Sequence, residues 1–207
     1  MLAYLTIPAT VGLMAVGEPV VRLLYERGKF TAVDTRQTAT ALFLYSFGLL
    51  GYTGVKVLAP AFYALGLPRV PLAASALAVA TNLAVILAGH GSLGFRAIAL
   101  GTALGSLLNA GCLLAVFQRR MGGLLGHGLV PSVLRMLAAA VAMAVLTRVL
   151  ADLIQQRVGT VGLAAQLATG LVPVVAGTLL YFALTQLLRV GEAHAFSSLV
   201  LQRLGRR

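Results

Sequence analysis

With 207 residues, 59% of them hydrophobic, 10% charged and a mean hydropathy of +0.95, the chain lacks the roughly 25% of charged residues with which a water-soluble domain covers its core. A soluble globular enzyme is therefore excluded, and the apolar excess excludes disorder as well. The formal net charge of +11 is dispersed between hydrophobic stretches, without interleaved aromatics along a soluble face, which argues against nucleic acid and for a phospholipid surface.

Crossing about 30 Å of hydrocarbon at about 1.5 Å per residue takes about 20 mostly apolar residues, and about six windows meet that length. They run from Leu2 to Tyr25, from Thr38 to Val57 with an apolar continuation to Leu65, from Val70 to Leu87, from Ile98 to Phe117, from Val133 to Leu150 and from Leu163 to Leu188. Each should be helical, because lipid offers no water to unpaired amides. The fold class expected is an all-α integral membrane protein.

Punctuation agrees with the windows. Glu26-Arg27-Gly28-Lys29 ends the first, and Asp34 is placed to cap the second by accepting from free amides. Gly66-Leu67-Pro68-Arg69 and Gly89-His90-Gly91 read as short turns between antiparallel helices. The glycine-rich stretch from Gln118 to Gly128 is the clearest boundary, dividing four helices (1–120) from two helices and a basic tail (121–207). In that tail Phe196, Leu199, Val200 and Leu204, with Arg203, Arg206 and Arg207 nearby, read as a short interfacial helix.

An even number of spans puts both termini on one side, together with Arg69, Arg119, Arg120, Arg135, Arg189, Arg203, Arg206 and Arg207. Arg27, Lys29, Arg36, Arg96 and Arg157 fall on the other. The excess of cations favours cytoplasmic termini. The stretch after Met1 has no basic n-region or cleavage site and is long enough to span, so no signal peptide is read there.

The chemistry-bearing residues are sparse. Cys112 is the single cysteine, which leaves no internal disulfide or cysteine metal cluster. No metal or cofactor motif is read. The five acidic residues, Glu18, Glu26, Asp34, Asp152 and Glu192, sit near helix ends, and His90, His127 and His194 are far apart. Neither paired carboxylates nor a nucleophilic triad can be assembled from them. Lys56 is the charge deepest in a span. It has two readings: a cation facing a wet or anionic-ligand cavity, or a stem that snorkels to the near interface. Glu18 and Arg22, and Arg148 and Asp152, are four apart and expected to pair along their helices. Asn82, Thr102 and Asn109 can bond across helices as packing glue or coordinate an ion, and Gly101 and Gly105 allow close helix approach. Pro8, Pro60 and Pro173 can each kink a span.

The runs Ile7-Pro8-Ala9-Thr10-Val11-Gly12-Leu13, Glu18-Pro19-Val20, Leu23 through Thr31, Asp34-Thr35 and Val55-Lys56-Val57-Leu58-Ala59-Pro60-Ala61-Phe62-Tyr63-Ala64 resemble the C-terminal lobe of the MurJ (MviN) lipid II flippases. Asn82, Gly91, Gly94 and Asn109 ahead of Arg119-Arg120 fit as well. The resemblance implies a fourteen-helix transporter of the multidrug/oligosaccharidyl-lipid/polysaccharide (MOP) exporter superfamily. This chain would supply the last six helices, four of the second lobe and then the additional pair, with the missing N-terminal helices as its partner. The implied activity is movement of lipid II, the undecaprenyl-diphosphate-linked peptidoglycan precursor, from the cytoplasmic to the periplasmic leaflet of a bacterial inner membrane by alternating access. Another lipid-linked oligosaccharide as cargo, or a non-transporting membrane scaffold, are the alternatives. The resemblance further implies Lys56 as a cavity cation for the diphosphate and a tail groove by the last two helices, with Gly170, Ala176 and Gly177 on its small-residue side. Asn82 and Thr102 match two positions of a sodium site found in some members, but Ile86 stands where that site has an Asp, so sodium coupling is not carried over. Membrane potential or protons stay open as the energy source.

Overall fold

A computed structural model describes residues 2–121, 129–159, 162–188 and 190. Among them are six helices: α1 (Leu2–Tyr25), α2 (Ala32–Ala64), α3 (Arg69–Leu93), α4 (Arg96–Met121), α5 (Leu129–Val158) and α6 (Leu163–Leu187). All six are long and apolar enough to cross a membrane, and the chain is an all-helical, multi-pass membrane protein. Large apolar side chains stand outward all round them; Leu72 is 71%, Val79 68% and Leu87 69% exposed. Water would penalise that surface, whereas lipid does not. Several hydroxyls inside the spans are satisfied locally: Thr40, Ser46, Thr53 and Thr81 each donate to the carbonyl four residues back in their own helix, whereas the Thr10 hydroxyl is buried without a partner. A polar side chain bonded to its own helix costs little in hydrocarbon.

The helices form two compact units, one of residues 1–35 with 128–207 and one of residues 36–127. In the first, α1 packs on both α5 and α6, which also pack on each other. Its core joins Tyr4 and Ile7 of α1, Met136, Ala139, Ala140 and Met143 of α5, and Tyr181 of α6. In the second, α3 and α4 form a hairpin. Gly101 and Gly105 of α4 lie against Asn82 and Ala78 of α3, where an added Cβ would overlap them. On another face of α4, Ala103, Ser106 and Ala110 meet Gly48, Gly51 and Gly54 of α2, and the Ser106 hydroxyl donates to the Gly48 carbonyl at 3.0 Å. Leu58, Phe62, Ala74 and Leu113 close one end.

One local expectation is corrected. Gly89-His90-Gly91 is not a turn: α3 runs on to Leu93 and the chain reverses at Gly94, whose φ is 54°. Gly89 serves close packing instead, since a Cβ there would meet Ala97 Cβ at 2.9 Å. At the start of α2, Asp34 is the third residue of the helix and caps it as expected. Its Oδ2 accepts from the backbone amide of Thr31 at 2.8 Å and the Thr31 hydroxyl at 2.7 Å, so Thr31 and Asp34 form a capping box. The glycine-rich stretch from 122 to 128, Arg189, Glu192, His194 and the tail helix expected at 196–204 lie outside the described residues.

Candidate functional site

Lys56 lies on α2 and is exposed. Its Nζ stands 4.7 Å from the ring centroid of Tyr52, one turn back, where the ring's negative face attracts the ammonium. Among the described residues no carboxylate pairs with it. Pro60, four residues on, has no amide with which to bond the Lys56 carbonyl, so the helix ladder is interrupted at the turn that carries the charge. The arrangement leaves the three ammonium hydrogens available to an anion.

Asn82 and Thr102 are not joined by a hydrogen bond. Asn82 is wedged against Gly101, and its Oδ1 is buried without a partner. Thr102 is exposed and its hydroxyl donates to the Ile98 carbonyl of its own helix at 2.9 Å. Asn109 reaches across the hairpin, donating through Nδ2 to Ser75 Oγ at 3.3 Å, while its own Oδ1 is also buried and unpartnered. Asn82 and Asn109 thus make contacts between helices, and Thr102 bonds within its own. No three His, Cys, Asp or Glu side chains converge among the described residues.

The other unit holds a cleft of about 490 Å³ between α1, α5 and α6. Pro8, Gly12, Leu13 and Val16 form its α1 wall, Met143 and Thr147 its α5 wall, and Val174, Thr178 and Tyr181 its α6 wall. The lining is effectively apolar, because Thr147 and Thr178 donate to carbonyls of their own helices, Met143 and Val174. Gly170 and Gly177, expected on the small-residue side of a groove, are buried. A Cβ at Gly170 would meet Leu23, and one at Gly177 would overlap Thr147. They bring α6 close to α1 and α5, and the open space lies beside them.

The shape of α1 comes from its prolines. Pro8 and Pro19 both lie inside it, and Val16 leaves helical geometry at φ −120°, ψ 19°, the kink expected within a turn before a proline. Each proline deprives one carbonyl of its amide four residues on: Tyr4 for Pro8 and Ala15 for Pro19. Both carbonyls are taken by another helix. Tyr181 of α6 donates its hydroxyl to the Tyr4 carbonyl at 2.9 Å, in a buried site where the Tyr4 hydroxyl also bonds Thr185 at 2.9 Å. Arg148 of α5 donates through Nη1 to the Ala15 carbonyl at 3.4 Å.

The expected ion pairs form. Arg22 meets Glu18 at 2.9 Å and, beyond the expectation, Glu26 at 3.4 Å, and Thr35 donates to that Glu26 oxygen at 2.6 Å. Arg148 meets Asp152 at 3.3 Å. Sequence reasoning missed Pro19 as a kink and the parts of Tyr181 and Arg148. Proline spacing shows which carbonyls are left over, but only tertiary structure shows which donors reach them.

The family model described as lipid II flippase MurJ matches residues 1–169. A protein of Rhizobium tropici is 37% identical over 117 residues, covering 56% of this chain and 22% of the relative. One of Rickettsia prowazekii is 36% identical over 109 residues, covering 53% and 22%, and one of Vibrio cholerae is 33% identical over 109 residues, covering 53% and 21%. Each of these relatives is described as "probable lipid II flippase MurJ". The matched stretch thus spans roughly a fifth of their length.

Proposed function

The chain belongs to the MurJ lipid II flippase family, a family of transporters, and on that premise we propose that it is the C-terminal part of a lipid II flippase. In this reading α1 to α4 end the second lobe and α5 and α6 are the additional pair. Preceding helices of the same protein complete the transport cavity, and the termini face the cytoplasm of a bacterial inner membrane. The observation that carries the reading is the family match over residues 1–169, which takes in the first five spans and the start of the sixth.

The physical logic divides the cargo in two. A diphosphate is too charged to cross hydrocarbon unaided and needs fixed cations in a wet cavity, while its polyprenyl tail belongs in an apolar surface. Lys56, exposed and without a carboxylate partner among the described residues, is the proposed cation. The apolar cleft between α1, α5 and α6 is the proposed seat for part of the tail. Of the positions matching a sodium site, Asn82 Oδ1 has no partner and Thr102, which donates its proton to the Ile98 carbonyl, keeps its oxygen lone pairs, but Ile86 offers no side-chain oxygen and no negative charge. Transport is accordingly expected to proceed at an unchanged rate when sodium is replaced by choline; a rate that falls with sodium overturns this part.

The main test is depletion of the full-length protein followed by an assay of which leaflet holds the lipid-linked precursor. Accumulation of lipid II in the cytoplasmic leaflet is expected. An unchanged distribution overturns the reading, and accumulation of a different lipid-linked glycan reassigns the cargo.

A further inference from the structure

We infer that Arg148 is a positioning residue: by bonding the Ala15 carbonyl that Pro19 leaves over, it holds the kinked half of α1 against α5 and sets the opening of the cleft between them. Its importance for transport rests on the proposed seat of the polyprenyl tail; the contact itself does not.

A backbone carbonyl stripped of its helical amide has no water to turn to within a bilayer, so it must find a donor on a neighbouring element. Arginine suits this task, since it carries five donors in a fixed fork and remains charged. Asp152, at 3.3 Å, neutralises the guanidinium from one side, and Nη1 is left to reach across to Ala15 at 3.4 Å. The residue before Arg148 is Thr147, which lines the cleft, and the residue after Ala15 is Val16, which lines it from the other helix. The bond therefore ties the two walls together at their edge.

The two contacts that hold α1 through its prolines are unlike. The Tyr181 bond to the Tyr4 carbonyl is short and enclosed in the core, and it fixes α1 at one end. Arg148 and Asp152 are each about half exposed (54% and 49%) and their contacts are longer. Of the cleft's α1 wall, Pro8, Ala9, Gly12 and Leu13 lie between these two points, and Val16 and Val20 follow the second. One end is an anchor, and the other is a fastening that can be released without exposing core.

The test uses the intact transporter in proteoliposomes, with its native cysteines replaced and a cysteine pair introduced by Met14→Cys and Val145→Cys, two positions bordering the same surface hollow as Ala15 and Arg148. Arg148→Met is expected to slow cross-linking of this pair about tenfold, the loss of one charged hydrogen bond. Arg148→Lys, which keeps a donor on a long stem, should restore most of the rate. Pro19→Ala approaches the contact from the other helix: the new amide satisfies Ala15 from within α1, so cross-linking slows and Arg148→Met then adds nothing. It keeps the test decisive if Arg148→Met does not accumulate. An unchanged rate in either single variant, or effects of the two that multiply, overturns the inference. Because cross-linking is read without transport, a wild-type protein that moves no lipid II would strike the proposed function and leave this contact standing.

Discussion

The unit of α2, α3 and α4 and the unit of α1, α5 and α6 are built from equally apolar helices, yet one closes and the other opens. In the first, glycines at 51, 101 and 105 let backbones approach until a methyl group no longer fits, those at 48 and 54 come nearly as close, and the Asn82 and Asn109 oxygens are buried without partners. In the second, α1 carries two prolines and is kinked at Val16, a cleft of about 490 Å³ lies between it and its neighbours, and the carbonyls those prolines free are each met by a side chain. Small residues bring helices together in lipid, where no hydrophobic effect drives them. A kinked helix leaves room beside it.

Substitutions should separate the two cases. The largest effect is expected at Gly51→Val, whose side chain would land on the Ser106 backbone: a loss of about 3 kcal/mol from overpacking, read as a lowered melting temperature in detergent. Next is Arg22→Met, which leaves Glu18 and Glu26 without their shared cation and should cost about 2 kcal/mol in the same measurement. Tyr181→Phe removes the donor to the Tyr4 carbonyl and is expected to cost about 1 kcal/mol. In the open unit, Val174→Phe projects into space instead of into a neighbour, so stability should change by less than about 1 kcal/mol while lipid II transport falls; equal losses of stability at Gly51 and Val174 would erase the contrast. The smallest change in stability, within about 0.5 kcal/mol, belongs to exposed Lys56→Ala. Its expected signature is reduced flipping that Lys56→Arg partly restores, and near-normal flipping by Lys56→Ala removes the residue from the cargo site.

The spans were legible because hydrocarbon thickness sets a length and forbids open backbone, so a run such as 163–188 needs only counting; α6 is Leu163–Leu187. Helix ends were less legible. α2 begins at Ala32 and α5 ends at Val158, beyond the windows opened at Thr38 and closed at Leu150, because a helix carries on into water wherever its residues permit. Gly89 misled for a related reason: glycine marks both turns and tight packing, and only its neighbour Ala97 distinguishes them. The ion pairs of Arg22 and Arg148 followed from spacing within one helix. The cleft did not, since its walls come from residues more than 120 positions apart, nor did the grouping of α1 with α5 and α6.

The length of α2 has a consequence of its own. Its 33 residues make a rod of about 50 Å, some 20 Å longer than the oily interior of an average membrane. That excess is absorbed by leaning together with end turns, Asp34 and Arg36 in them, standing among the headgroups. Acyl-chain length therefore becomes a control on this helix: thicker films draw it upright and thinner ones lay it over, and Lys56 changes depth as it goes.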